Sequence, residues 1–171
     1  MSRQSTASLL CSACGICCNG VMFHKVRLLS NDALTELRAL GLRLKRKRGD
    51  IFSSQPCPAY QESHCTIYTQ RPERCRLFEC RQLKQVASGE ISESEALNKI
   101  QEVVKQVARA NELLNESGKT DLKKPLTRRY EKITAEPVDP SSDPKILERR
   151  EELMRVMQAL ETLLEKDFRP R

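Results

Sequence analysis

Four cysteines fall within eight residues in the stretch CSACGICC, residues 11–18, and Cys57, Cys65, Cys75 and Cys80 follow. The spacing is C-x2-C-x2-C-C, then a gap, then C-x7-C-x9-C-x4-C. A C-x2-C turn lets two thiolates face one ion while the intervening amides hydrogen-bond to the sulfurs. Gly15 follows the second cysteine, where such a turn needs a residue free to take positive φ. Cys17 and Cys18 add a constraint. Neighbouring side chains diverge, so the two do not readily ligate one tetrahedral ion together, and a disulfide between them would strain the intervening peptide. They serve two centres, or one stays outside the coordination shell. Eight thiolates satisfy two tetrahedral zinc sites or two four-cysteine iron–sulfur clusters, and one centre with spare thiols also fits. The spacing leaves these arrangements, and the pairing of the cysteines, open.

The compartment decides between metal and disulfides. Met1 to Leu10 is polar and lacks the 7–15-residue apolar core of a secretory signal. A cytoplasmic location is expected, where clustered thiols stay reduced and bind metal. No apolar run reaches the 18 residues that a membrane helix needs. The formal charge of +7 assumes neutral cysteines. Eight thiolates holding two divalent ions would bring that +7 down to +3. Much of the apparent basicity is thus counter-charge for a thiolate site, and nucleic-acid binding does not follow from it.

Other residues near the cysteines have chemical potential. His64 stands beside Cys65 and could replace a thiolate, whereas His24 lies in an apolar, basic stretch and reads as a surface or packed histidine. Arg71, Arg74, Arg76 and Arg81 flank Cys75 and Cys80. They suit either charge balance and thiolate activation or a solvated helix face. Pro72 fixes the chain entering Cys75, Leu77 and Phe78 shield the site, and Tyr60 and Tyr68 pack around it.

These residues must be held by a small amount of regular structure. All eight cysteines lie between 11 and 80, and residues 81–171 have none. The fold expected is mostly α, with a small irregular cysteine-rich α+β part and a C-terminal helical hairpin. The division is residues 1–90 for the metal-binding domain and 91–171 for the hairpin extension, with a proline-containing linker at 118–144. In the first part, 20–30 reads as a strand. Residues 30–41 read as a helix capped by Ser30 or Asp32 and stopped by Gly41. KRKRGD at 45–50 reads as a charged loop, 56–68 as a turn or hairpin, and 71–89 as one helix. In the second part, Ser92 and Glu95 form a capping box. Leu97, Ile100, Val104, Val107 and Leu114 then make one apolar seam. Asp143 and Pro144 start a last helix whose seam is Ile146, Leu153, Met157, Leu160 and Leu164. Seams of this kind usually pack a core or a dimer contact, so self-association or a protein partner through these helices is expected.

CSACGICC followed by CPAYQESHCTIYTQRPERCRLFEC resembles the CxxCxxCC or YkgJ-like cysteine-cluster family, described as a zinc- or iron-chelating domain. The likeness covers residues 11 to about 80. It implies that Cys11, Cys14, Cys17, Cys18, Cys57, Cys65, Cys75 and Cys80 are the chelating positions, and that Arg71, Pro72, Arg76 and Phe78 belong to the signature. Flagellin lysine-N-methylases carry a similar cluster, which by analogy raises a protein-modifying enzyme as an alternative. Against it, the chain has no glycine-rich cofactor loop and its cysteines lack the x3-x2 spacing of a radical-SAM site. No catalytic residue stands out. A nucleic-acid-binding zinc module draws on KRKR at 45–48, Lys123-Lys124 and Arg128-Arg129, yet few aromatics interleave with them to form a stacking platform. Zinc and iron, including an iron–sulfur cluster, remain the expected cofactors.

Overall fold

Ser92 accepts a hydrogen bond from the Glu95 amide while the Glu95 carboxylate accepts from the Ser92 amide, the capping box expected from the sequence. It starts the longest helix of a computed structural model that describes residues 6–62, 64–118, 121–137, 141 and 143–170. The helices are α1 (Thr6–Cys14), α2 (Leu34–Ala39), α3 (Glu73–Leu77), α4 (Arg81–Ala87), α5 (Glu93–Glu116), α6 (Leu126–Ala135) and α7 (Pro144–Leu163). The strands are β1 (Lys25–Arg27), β2 (Leu44–Lys47), β3 (Asp50–Ser54), β4 (Tyr60–Gln61) and β5 (His64–Cys65). They form an antiparallel sheet of order β1-β3-β2 and a two-stranded β4–β5 hairpin. The chain is therefore mostly α with a small α+β part.

Asp143 caps α7 by accepting from the Lys145 amide, with Pro144 in the first turn. α5 and α7 run antiparallel. The pairs Arg109–Glu152 at 2.6 Å and Arg149–Glu116 at 2.7 Å mark the register. These pairs are partly exposed and contribute fractions of a kilocalorie at most. Burial of Ile100, Val103, Leu113, Leu153 and Leu160 does the holding. The buried stripe of α5 is rotated from the expected seam: Val103 and Leu113 are inside, while Val104 is exposed. The cause is a second contact. α5 also packs on α1, and Leu10 and Ile16 share its core. In α7, Ile146 is likewise exposed. A π turn at Leu164–Phe168 ends α7 and buries Phe168 completely.

That large core takes residues from both sides of position 90, from Leu10 and Met22 to Leu164 and Phe168. A second, smaller core gathers Leu28, Leu37, Leu42, Ala59 and Ile67.

Several local expectations change. The charged stretch 45–50 is a hairpin: β2 and β3 pair Lys47 with Asp50, and Arg48 and Gly49 turn between them at φ +51° and +86°. The strand read over 20–30 shortens to β1. Asp32 does not cap α2, which has no side-chain cap. Its carboxylate instead accepts from the Leu29 amide at 2.8 Å and the Glu73 amide at 2.8 Å. The helix read over 71–89 breaks into α3 and α4. Phe78 turns extended and packs edge-on against Phe23, with ring centroids 5.1 Å apart, and Cys80 takes the N-cap position of α4. Within 118–144 lies α6, buried through Leu126, Arg129 and Ile133; its flanking prolines hid it. Arg129 donates to Asn111, so the Arg128-Arg129 run is not a surface cation pair. Residues 119–120, 138–140 and 142 of that segment, and residues 1–5 of the polar N-terminus, lie outside the described residues.

Candidate metal centre

α1 was not foreseen, and it carries the first two cysteines. Cys11 and Cys14 are three residues apart and so share a helix face. The Gly15 amide closes the helix on the Cys11 carbonyl at 3.1 Å, and Gly15 itself sits at φ +64°. A Cβ at Gly15 would lie 1.8 Å from the Tyr60 hydroxyl oxygen, so any other residue would have to displace the Tyr60 ring. The amides of Cys18 and Asn19 both donate to the Gly15 carbonyl, winding Cys17 and Cys18 into a tight turn.

The other four cysteines arrive from separate segments. The Cys57 amide donates to the Cys18 carbonyl at 2.7 Å. The Tyr60 amide donates to the Cys57 carbonyl at 3.0 Å, and Tyr60 pairs with Cys65 across the β4–β5 hairpin. Cys75 lies in α3, whose first turn is held by the Pro72 carbonyl, accepting from the Cys75 amide, and by Asp32, accepting from Glu73. Cys80 opens α4, and the Gln82 side chain anchors that helix by donating to the Asp167 carbonyl at 2.6 Å.

All eight thiols are half-buried, unbonded to one another, and line one cavity of about 740 Å³. Phe78, Tyr60 and Tyr68 supply apolar wall as expected, Phe23 and Phe52 join them, and Leu77 also lines it although it is largely exposed. Neither His24 nor His64 lines it. Both are exposed, with His24 contacting Thr127 and His64 the Glu62 carbonyl. Among the described residues no three His, Cys, Asp or Glu side chains converge on one point. The thiols stand around the wall.

Burial is the main force on these thiols, and it favours the neutral form. It pushes Cys14 up to about 12, against the Ile16 amide that bonds its sulfur, with the nearby Cys80 and Cys11 adding to the rise. Burial, then Cys57, Cys65 and Cys75, push Cys18 up to about 12. Cys75 rises to about 11 through burial and Cys57, with Arg71 opposing. Cys17 is raised well above the ordinary value, by burial and then by Cys14, Cys18 and Cys80. Three sulfurs accept backbone amides that favour the thiolate: Cys14 from Ile16, Cys57 from Ala59 and Tyr60, and Cys80 from Leu83 and Gln82. Of the four arginines flanking Cys75 and Cys80, Arg71 acts on thiols, favouring the thiolates of Cys11 and Cys75. It is fixed by donating to the Tyr68 carbonyl at 2.8 Å and by stacking 3.5 Å over the Tyr68 ring. Arg81 turns away and donates to the Lys166 carbonyl. Arg43, which carried no sequence signal, immediately precedes β2, donates to the Pro56 carbonyl and favours the Cys57 thiolate.

The family model of the CxxCxxCC domain, "Putative zinc- or iron-chelating domain", matches residues 10–112, more than half of the chain. The chain belongs to the CxxCxxCC family. Among curated proteins and among solved structures, none matches it. The CxxCxxCC match runs past the cysteines through α4 and most of α5, where the resemblance read from sequence stopped near residue 80. The packing explains the extent, because α1 with Cys11 and Cys14 rests on α5.

The wall of this CxxCxxCC cavity fits a thiophilic cation. The donor set is entirely sulfur, which selects zinc, iron and similarly soft ions over magnesium or calcium. Three buried polar atoms on residues of the same wall, Ser53 Oγ, Gln55 Oε1 and Gln82 Oε1, have no hydrogen-bond partner among the described residues. Such atoms are rare in native interiors. No helix of the described residues is long and apolar enough to cross a membrane.

Proposed function

We propose that this chain chelates zinc or iron in a reducing, cytoplasmic setting, through the thiolates of Cys11, Cys14, Cys17, Cys18, Cys57, Cys65, Cys75 and Cys80. One observation carries the reading: all eight thiols, brought from helix, turn, loop and strand, line a single cavity. The burial of these sulfurs opposes bare thiolates, and a bound cation would offset it, so proton release and metal uptake are coupled. The ion would draw the surrounding thiols inward and tie α1, the hairpin, α3 and α4 to one another. Its contribution is thus at least structural.

The test uses protein isolated without oxygen. Zinc, iron and sulfide are quantified on the sample whose absorption spectrum is recorded. The expected result is stoichiometric metal that Cys14→Ser or Cys75→Ser reduces, together with loss of folded signal in circular dichroism. Iron with sulfide and absorption in the visible range would identify a cluster, and a colourless zinc protein would identify mononuclear sites. A metal-free chain that keeps its circular dichroism and takes up neither ion would overturn the reading.

A further inference from the structure

We propose that the eight cysteines form two separate four-thiol centres, with Cys11, Cys14, Cys17 and Cys80 in one and Cys18, Cys57, Cys65 and Cys75 in the other, divided at the Cys17–Cys18 peptide. This rests on the chelation reading and goes beyond it by assigning every thiol.

Packing gives the first argument. Cys14 and Cys17 lie against the large core of α1, α5 and α7, whereas Cys57 and Cys65 lie against the small core around Leu37 and Ile67. The division therefore follows the two apolar bodies of the protein.

Backbone ties give the second. Cys18 is joined to the Cys57 loop by the 2.7 Å amide–carbonyl bond, and Cys57 is joined through Tyr60 to Cys65. Cys75 is anchored on the same side, because Asp32 bridges the start of α3 to the segment leading into α2. Cys80 is anchored on the other side, because α4 is fastened to the π turn after α7 by the Gln82–Asp167 bond.

Coordination number gives the third. A tetrahedral ion takes four thiolates, so each set fills one shell. The adjacent pair then needs no strained shared geometry, since its two side chains diverge into different centres.

The test is cadmium-113 NMR on the full chain loaded with that ion. The wild-type chain should give two resonances of the tetrathiolate type. Replacing two cysteines of one set, Cys18→Ser with Cys75→Ser, should abolish or shift one and leave the other in place. The pair Cys14→Ser with Cys80→Ser should do the reverse. The crossed pair Cys17→Ser with Cys75→Ser should disturb both. Circular dichroism accompanies each variant. Where a double variant unfolds, the single Cys75→Ser and Cys80→Ser chains must still each move one resonance and not the same one. A single wild-type resonance, or same-set and crossed pairs that act alike, would overturn the division while leaving chelation intact. A wild-type chain that takes up no cadmium would instead remove the chelation reading itself.

Discussion

The amide of Cys57 donates to the carbonyl of Cys18 across 2.7 Å, although 39 positions separate them in the chain. The bond fastens the turn after α1 to the loop before β4 and brings two thiols to one wall through the main chain alone. The candidate centre is thus positioned by backbone geometry as much as by side chains, and changes that touch no sulfur should reach it.

Gly15→Ala is the sharpest such change. An alanine at positive φ costs about 1–2 kcal/mol anywhere. At Gly15 the new Cβ would also meet the Tyr60 hydroxyl at 1.8 Å, whereas at Gly41, at φ +87°, it would meet nothing within 4 Å. Urea denaturation should show a loss of about 1 kcal/mol for Gly41→Ala and about 3 kcal/mol or more for Gly15→Ala, once overpacking is added. Equal losses would mean that the Tyr60 contact is not a constraint.

Asp32→Ala should loosen the arrival of Cys75. The carboxylate accepts two amides at 2.8 Å, and hydrogen bonds to a charged group contribute about 1.5–3 kcal/mol each. The expected loss is about 2–4 kcal/mol in chemical denaturation, with weaker metal retention against a chelator. Asp32→Asn keeps one carbonyl acceptor and should fall between.

Arg71→Met should weaken metal binding about tenfold, a typical effect for a residue that tunes ligands from outside the shell. Arg76→Met, at an exposed position away from the cavity, should leave affinity unchanged. Competition with a chromophoric chelator at neutral pH measures both.

The metal-free protein should lose stability as the solution turns alkaline. Cys14 and Cys18 are raised to about 12 and Cys75 to about 11, above the ordinary value of 9.0 that they regain on unfolding. Over that window the unfolded chain binds fewer protons than the folded one, so unfolding becomes easier as pH climbs from about 9 toward 12. Melting temperatures of the stripped protein should be flat below pH 9 and fall above it. Loaded protein, whose thiolates are already charged, should fall less. A stripped protein with no alkaline decline would show that the thiols are not shielded as described.

The cysteine spacing, the Ser92–Glu95 box, the Asp143 cap and most of the α7 seam were legible because each depends on residues near one another in sequence. Gly15 was legible too, since only a turn explains a glycine there. What escaped reading depends on partners far along the chain. Asp32 looked like a helix cap, and its second oxygen serves Glu73. Residues 71–89 have helical composition throughout, but Phe23 draws Phe78 out of the helix. Val104 fitted the periodic seam, and the second contact of α5, with α1, turned Val103 inward instead. Arg43 has no motif; its role follows from a hairpin that charge-rich residues concealed.

The two cores also differ in how much chain they require. The smaller one is complete at Ile67, while the larger one waits for Phe168. At ribosomal speeds of about 5–20 residues per second, some five to twenty seconds separate the two. During that interval a nascent chain already holds the packing around Cys57 and Cys65, while the core that Cys14 and Cys17 border still lacks its α7 residues and Phe168. The thiols made first thus border the core that is completed later.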